Sequence, residues 1–483
     1  MNIILAASEI FPFAKTGGLA DAAGAMAQVF SRMKGNKVAV FLPKYRNIGG
    51  GSFSLKAVPG VFRVMVNDHV ETVGLYSFQW GKATVYLVDC PKYFDRAELY
   101  RTRSGDYQDN DERFILFSKA VLEGAKFVGF KPDIIHCHDW QTGLIPAYLK
   151  TLYSIDAFFA RTGSTFTIHN IAYQGCFPKA TVFKAGFGWT EYTPDRLEYY
   201  GGINFLKAGI QYADAVNTVS PGYVHEILSE PGGRGLSGVL RARGADFIGI
   251  LNGIDTEVWD PEYDSSLPRG YDDGSFTKGK PLAKTALQEM AGLTLDPNIP
   301  LVGVVSRFDP QKGTDLLPPV IAKMAGKAQF ALLGLGDHAT QEQLTVLAQG
   351  NPKKVFYSER YDEGMAHRIY AASDMFLMPS RFEPCGLSQM IAMRYGTLPV
   401  ACKTGGLADT IAGYPEAEKP TGFFIKKPDA ASVQEALSVA LGAYSNRKVW
   451  TEMVRTAMRT DFSWDRSAEV YSECFRKILR KLA

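Results

Sequence analysis

The sequence predicts an α/β protein built of two doubly wound, parallel-sheet domains, and three observations predict it. Short β-rich apolar runs alternate with helical stretches along almost the whole chain, the pattern of parallel strands covered by helices on both faces. At 483 residues the chain is too long for one ordinary core, so two domains are expected. The heptapeptide Lys15-Thr16-Gly17-Gly18-Leu19-Ala20-Asp21 also returns unchanged 388 positions later as Lys403-Thr404-Gly405-Gly406-Leu407-Ala408-Asp409, giving one copy to each half.

The first series of strand-like runs is Asn2 to Ala7, Val38 to Leu42, Thr84 to Val88, Asp133 to Cys137, Thr165 to Ile168 and Ala215 to Val219. The second is Phe247 to Leu251, Leu301 to Val305, Phe330 to Leu333, Val355 to Tyr357, Met375 to Met378 and Leu398 to Ala401. Between about Ser220 and Lys280 the pattern lapses and glycine and proline become frequent (Pro231-Gly232-Gly233, Pro268, Gly270, Gly274, Pro281), so the domains are expected at 1–240 and 241–460. Ligands of doubly wound sheets lie beyond the carboxyl ends of the strands, and two such sheets predict one deep cleft. Gly49-Gly50-Gly51-Ser52 reads as a flexible loop.

Bulk properties narrow the function. Hydrophobic residues at 46% and charged residues at 21% are those of a water-soluble globular chain. A net charge of +3 is too small to favour nucleic acid or an anionic membrane surface. The six cysteines are scattered without CxxC spacing, which points to a reducing compartment and no zinc site. No secretory leader and no membrane-spanning apolar run is visible, making the cytosol the expected location. Oligomeric state has no signature here.

Both heptapeptides follow an apolar run and lead into a helical segment. Glycines there let the backbone approach a ligand, and the first amides of a helix face outward, so two loops of one physical type, each suited to an anion or a sugar, are expected. Asp109-Asn110-Asp111 matches a metal-binding DxD triplet, but it precedes a helical stretch, where Asp and Asn serve as caps. In His136-Cys137-His138-Asp139-Trp140, strand alternation sends the two histidines to one face and Cys137 to the other, which argues against zinc. A strand-end, ligand-facing role is expected for Asp139, with Trp140 as a wall. His169 and Asn170, leaving another strand, supply the donors and acceptors that sugar hydroxyls need. Asn252-Gly253 is a turn former after a strand. Arg307 and Lys312, five residues apart on the loop Ser306-Arg307-Phe308-Asp309-Pro310-Gln311-Lys312-Gly313, can grip a diphosphate. The stretch Arg381-Phe382-Glu383-Pro384-Cys385-Gly386-Leu387-Ser388-Gln389 ends a strand and starts a helix, so the amides of Gly386, Leu387 and Ser388 form an anion seat. A carboxylate beside that seat, Glu383, makes sense if a sugar lies between them.

These motifs, in this order and spacing, resemble the bacterial glycogen synthases and plant starch synthases, glucosyltransferases of the GT-B type with two Rossmann-like domains. The resemblance covers nearly the whole chain: KTGGLAD at 15–21, HCHDWQ at 136–141, TIHNIAYQG at 167–175, LNGID at 251–255, SRF with QKG at 306–313, RFEPCGLSQ at 381–389 and KTGGLAD at 403–409. It implies that 461–483 is a C-terminal helix returning to the first domain. It implies ADP-glucose as donor and an α-1,4-glucan as acceptor, with no metal and no pyridoxal phosphate. Lys15, Gly17 and Gly18 would meet the nucleotide-sugar phosphates, as would Arg307 and Lys312. Glu383 and the turn from Cys385 through Gly386, Leu387 and Ser388 would hold glucose and the distal phosphate, with Thr404 of the second heptapeptide among the binding residues. Tyr361 would stack on adenine, Asp139, His169, Asn170 and Asn252 would contact the sugar, and Asp21 and Trp140 would lie on the acceptor side. Two departures stand out: Asp309-Pro310, where the family has a small or polar pair, and Cys402-Lys403, where a basic residue, often arginine, precedes the second TGGL.

Such a protein would transfer glucose with retention of configuration, Glu383 acting either as nucleophile or to orient sugar hydroxyls. The rivals are an α-glucan phosphorylase, a nucleotide-sugar epimerase and a non-catalytic glucan-binding homologue.

Overall fold

The computed structural model describes residues 1–48, 53–102, 104–360 and 362–482. The glycine-rich loop at 49–52 and Tyr361 lie outside them. The chain divides into two compact units, Met1–Asn252 together with the segment from Trp464 onward, and Gly253–Ser463.

The first unit is organised on a sheet that, among the described residues, contains β1 (Asn2–Ala6), β2 (Lys37–Pro43), β3 (Lys56–Ala57), β4 (Phe62–Val66), β5 (His69–Trp80), β6 (Ala83–Asp89), β7 (Ile134–His138), β8 (Gly163–Ile168), β9 (Ala215–Thr218) and β10 (Phe247–Gly249). Their order is β10-β9-β8-β7-β1-β2-β6-β5-β3, with β4 pairing β5. From β10 to β6 every pairing is parallel. Ile3, Ile4 and Leu5 in β1 and Ile134 and Ile135 in β7 are wholly buried, as strands with helices on both faces must be. The parallel sheet is as expected, and beyond β6 antiparallel strands extend it.

Helix α1 (Gly18–Arg32) buries Ala22, Ala23, Met26, Ala27 and Phe30, spaced three or four apart on one face. The C-terminal helix, labelled α5 (Trp464–Leu482) after three described below, does the same with Trp464, Ala468, Tyr471, Phe475 and Ile478. Its Tyr471 and Phe475 rings lie 5.9 and 5.5 Å from that of Phe30, and each such ring or branched chain removed from water contributes about 1.5–3 kcal/mol. Gly163 makes room for this helix, because a Cβ there would stand 2.3 Å from Ile478 Cγ2.

The second unit has a parallel sheet of β11 (Leu301–Val305), β12 (Gln329–Leu333), β13 (Val355–Ser358), β14 (Met375–Met378), β15 (Leu398–Cys402) and β16 (Phe423–Ile425), ordered β13-β12-β11-β14-β15-β16. Two expectations are corrected here. The Phe247 run, assigned from the sequence to the second series, pairs with β9 in the first sheet. The first unit therefore runs to Asn252 rather than ending at 240.

Candidate functional site

In the first unit the singled-out residues gather at the carboxyl ends of β1, β7, β8 and β10. Beyond β1, the buried carboxylate of Glu9 accepts from Thr16 Oγ1 at 2.7 Å and from the amides of Thr16 and Gly17, the latter at 3.3 Å. Tyr100 donates to the same carboxylate at 2.7 Å. An internal anion thus already occupies part of the loop expected to receive one. Lys15 pairs instead with Asp21, at 2.6 Å and partly exposed, and a Cβ on Gly17 or Gly18 would meet nothing within 4 Å.

Asp139 leaves β7 at φ 56°, ψ −177°, a backbone region close to glycine's own and strained for any other residue. Its Oδ1 accepts from the amide of His169 at 2.7 Å. Burial pushes its carboxyl up to about 8, against the lowering effect of the His169 and Asn170 amides. Three buried imidazoles line up beside it. The rings of His136 and His138 lie 4.1 Å apart on one side of the strand, and His138 Nδ1 stands 2.9 Å from His169 Nε2. Burial holds His136 and His169 down at about 3 and His138 well below its ordinary value, so all three are neutral. Asn170 Oδ1 accepts from the Ala172 amide at 3.0 Å. Asn252 is buried, and its Oδ1 has no hydrogen-bond partner among the described residues, an acceptor that a ligand could satisfy. Trp140, half-buried, is packed by Phe114 and Phe177 at 4.9 and 5.7 Å and lies against Gly175, where a Cβ would come within 2.4 Å of its ring.

The DxD triplet is engaged elsewhere. Asp109 pairs with Arg96 at 2.5 Å ahead of α2 (Asn110–Phe127), and Asp111 with Lys184 at 3.1 Å. Among the described residues no group of three His, Cys, Asp or Glu side chains is placed to hold a metal ion.

In the second unit the chain leaving β14 brings Glu383 to Lys312. The Lys312 ammonium bonds Glu383 Oε2 at 2.6 Å, with side chains 21% and 6% exposed, and Ser380 Oγ donates to the same oxygen at 3.1 Å. This ion pair joins side chains 71 residues apart in the sequence. The Asp309-Pro310 departure has a local purpose: Asp309 caps the 3-10 turn Pro310–Lys312 by accepting from the Lys312 amide at 3.1 Å, and proline fits the first turn position. Arg307 is half-exposed, 3.7 Å from Asp309. Gly386, at φ 73°, turns the chain into α3 (Ser388–Arg394), with Leu387 in the capping position.

The second heptapeptide packs onto this turn. Its helix α4 (Gly405–Thr410) is preceded by Thr404. A Cβ on Gly405 would stand 2.1 Å from the Glu383 carbonyl oxygen, and one on Gly406 the same distance from that of Cys385. Gly405 takes φ 41°, whereas its counterpart Gly17 is extended at −159°. The two loops are therefore not of one physical type: one set of glycines admits neighbouring backbone, the other faces open space. Sequence reasoning missed Glu9, Ser380, Tyr100 and the His138–His169 bond; Glu9, an acid three residues beyond the end of an apolar strand, was the one local signal.

Residues 2–242 match the starch synthase catalytic domain family and residues 288–456 match glycosyl transferases group 1. The chain is 54% identical over 483 residues to a glycogen synthase of Elusimicrobium minutum, covering all of both chains. It is 44% identical to one of Geotalea daltonii, covering 100% of this chain and 99% of that one. The solved catalytic domain of starch synthase IV from Arabidopsis thaliana, bound to ADP and acarbose, superposes with a TM-score of 0.92 at 34% identity, with 99% of each chain covered. Sucrose-phosphate synthase from Thermosynechococcus elongatus, at 18% identity and TM-score 0.64 with 99% of each chain covered, shares the fold. With two parallel-sheet units, the motif order intact and likeness to glycogen synthases from end to end, the chain belongs to the glycogen synthase and starch synthase family of GT-B glucosyltransferases.

Proposed function

We propose that the protein elongates an α-1,4-glucan at its non-reducing end with glucose from ADP-glucose, retaining configuration and using no metal. The observation that carries this reading is the end-to-end likeness to glycogen synthases, with Lys15, Arg307, Lys312 and Glu383 all present. A decayed, merely glucan-binding chain would not be expected to keep all four. The leaving group is a diphosphate, whose developing charge must be met by fixed donors. Arg307, Lys312, Lys15 and the helix start at Gly386, Leu387 and Ser388 take that task, with Cys385 and Thr404 shaping the turn. Tyr361 is assigned to the adenine, and Asp139, His169, Asn170 and Asn252 to the sugar. Gly17 and Gly18 leave room for the donor, and Asp21 and Trp140 serve the acceptor. Glu383 is assigned an orienting role, because its Oε2 is already bonded by Lys312 and Ser380; a trapped glucosyl adduct on Glu383 would overturn that assignment. The cytosol is the proposed compartment, in keeping with cysteines scattered without CxxC spacing. Among the described residues no helix is long and apolar enough to cross a membrane.

Incubation with radiolabelled ADP-glucose, and separately UDP-glucose, plus glycogen, with and without EDTA, tests the reading. Label should enter glycogen from ADP-glucose and persist in EDTA. Incorporation that collapses with EDTA removes the metal-free claim, and isomerised free sugar nucleotide without elongation removes the synthase.

A further inference from the structure

The three buried histidines form a row, His136 and His138 in ring contact and His138 hydrogen-bonded to His169, whose proton positions follow from their partners and their unpartnered nitrogens. At one end Tyr471 of α5 faces Asn217 of β9, whose Nδ2 donates to the Tyr471 hydroxyl at 2.9 Å. Asn217 Oδ1 accepts from Thr167 Oγ1 at 2.8 Å. The single Thr167 hydroxyl hydrogen is thereby committed, so the 2.7 Å contact between Thr167 Oγ1 and His136 Nε2 requires His136 to donate. Its other nitrogen, Nδ1, is then bare, and that is the atom found buried without a partner. A buried lone pair left unpaired is tolerated better than a buried N–H left unpaired.

The same reasoning settles the next ring. His138 Nε2 is also buried without a partner. Were it protonated, an N–H would be stranded in the core; bare, it strands only a lone pair. His138 therefore holds its hydrogen on Nδ1, the nitrogen 2.9 Å from His169 Nε2. Since His169 Nε2 must accept, a neutral His169 carries its own hydrogen on Nδ1. That nitrogen is bonded to no described protein group, and the ring sits where β8 ends, next to Asp139.

We propose that His138 is a positioning residue that fixes His169 in the Nδ1–H form, so that His169 meets the sugar as a hydrogen-bond donor. Two consequences follow. The sugar oxygen facing His169 must accept, and its own hydroxyl hydrogen is free for another acceptor. The reading of Asp139-His169-Asn170 as a sugar site also gains a direction, because one donor is fixed before the substrate arrives. The inference rests on the assignment of His169 as a sugar contact, while its proton position is measurable without any turnover.

The test uses the full-length protein labelled with ¹⁵N at its seven histidines, with the His169 signals assigned by loss in His169→Gln. Long-range ¹H–¹⁵N correlation should show His169 protonated at Nδ1 and bare at Nε2. His138→Phe keeps an aromatic ring against His136 but removes the bond, and should release His169 to exchange between its two forms; His138→Asn, whose amide can donate, should restore Nδ1–H. In transfer assays with ADP-glucose analogues bearing hydrogen or fluorine in place of each hydroxyl, one position should lose about three- to tenfold with hydrogen and much less with fluorine, which can still accept. That contrast should fade in His138→Phe and return in His138→Asn. A native His169 protonated at Nε2, or an unchanged tautomer in His138→Phe, overturns the inference and leaves the synthase reading standing. Absent glucosyl transfer with the predicted tautomer present would overturn the synthase reading instead.

Discussion

Replacing Lys312 by alanine separates two effects that the structure ties together. The ammonium lies 2.6 Å from Glu383 Oε2, and the glutamate side chain is only 6% exposed. Removing one member of a buried ion pair costs about 3–5 kcal/mol, because the other charge is left uncompensated. Lys312 retains 21% exposure, so water offsets part of this and the expected loss is about 2–3 kcal/mol. Glu383→Gln should cost less than about 1 kcal/mol, since the partly exposed ammonium it strands can reach water. The double variant Lys312→Ala with Glu383→Gln should regain roughly 1–2 kcal/mol over Lys312→Ala alone, a coupling typical of side chains in contact. Catalysis should not recover with stability: each single variant should lose on the order of 10²–10³ in transfer rate, and the double variant should be no faster. Urea unfolding of the second unit, followed by hydrogen exchange at β14, and glucose incorporation into glycogen give the two readouts. A double variant no more stable than Lys312→Ala would refute the ion-pair argument.

Gly405→Ala and Gly406→Ala should destabilise by about 1–3 kcal/mol, since each added methyl meets a carbonyl oxygen at 2.1 Å. Gly18→Ala, at the same place in the other heptapeptide as Gly406, should stay within about 0.5 kcal/mol, and thermal unfolding compares the set. Asp139 gives a pH signature. Its folded-state value, raised to about 8 from 3.8, means that the folded state holds a proton the unfolded chain has lost, so the stabilisation is whole below about 3.8 and declines as pH rises through about 8. Asp139→Asn should flatten that decline in urea midpoints measured from pH 4 to pH 8, and a parallel slope in both proteins would contradict it. Tyr471→Phe should cost about 1–3 kcal/mol in denaturant titration, because the buried Asn217 amide loses the acceptor it donates to at 2.9 Å.

The strands were legible because a strand covered on both faces is mostly apolar: β11 and β14 are so throughout, and β1 and β2 are so after their first residue. The hairpin of β4 and β5 was not read, since its residues alternate between buried and solvent-facing, unlike the continuous apolar runs of strands covered on both faces. The misplaced domain boundary has a physical reason as well. Pro231-Gly232-Gly233 looks like a linker, yet Cβ atoms on Gly232 and Gly233 would stand 2.3 and 2.5 Å from the carbonyl oxygens of Glu226 and Ile227. Those glycines close a tight turn inside the first unit, with the strand β10 still to come.

The candidate site divides the same way. Motif order disclosed which strand ends carry polar residues, because local sequence fixes where a strand stops and a helix starts. It could not disclose Lys312 with Glu383, or His138 with His169, since those partners are 71 and 31 residues apart and meet only when neighbouring strands pair. The repeated heptapeptide is the sharpest case. Seven identical residues supply the same conformational freedom twice, but Gly17 is extended and opens onto space while Gly405 is left-handed and sits against the Glu383 carbonyl. Glycine permits both conformations at little steric cost; the neighbours chose between them. In the first copy the freedom is left for the donor proposed to bind there, whereas in the second it has already been used against the backbone of Glu383. Identical motifs should therefore respond oppositely to the same methyl group, one through donor binding and the other through folding.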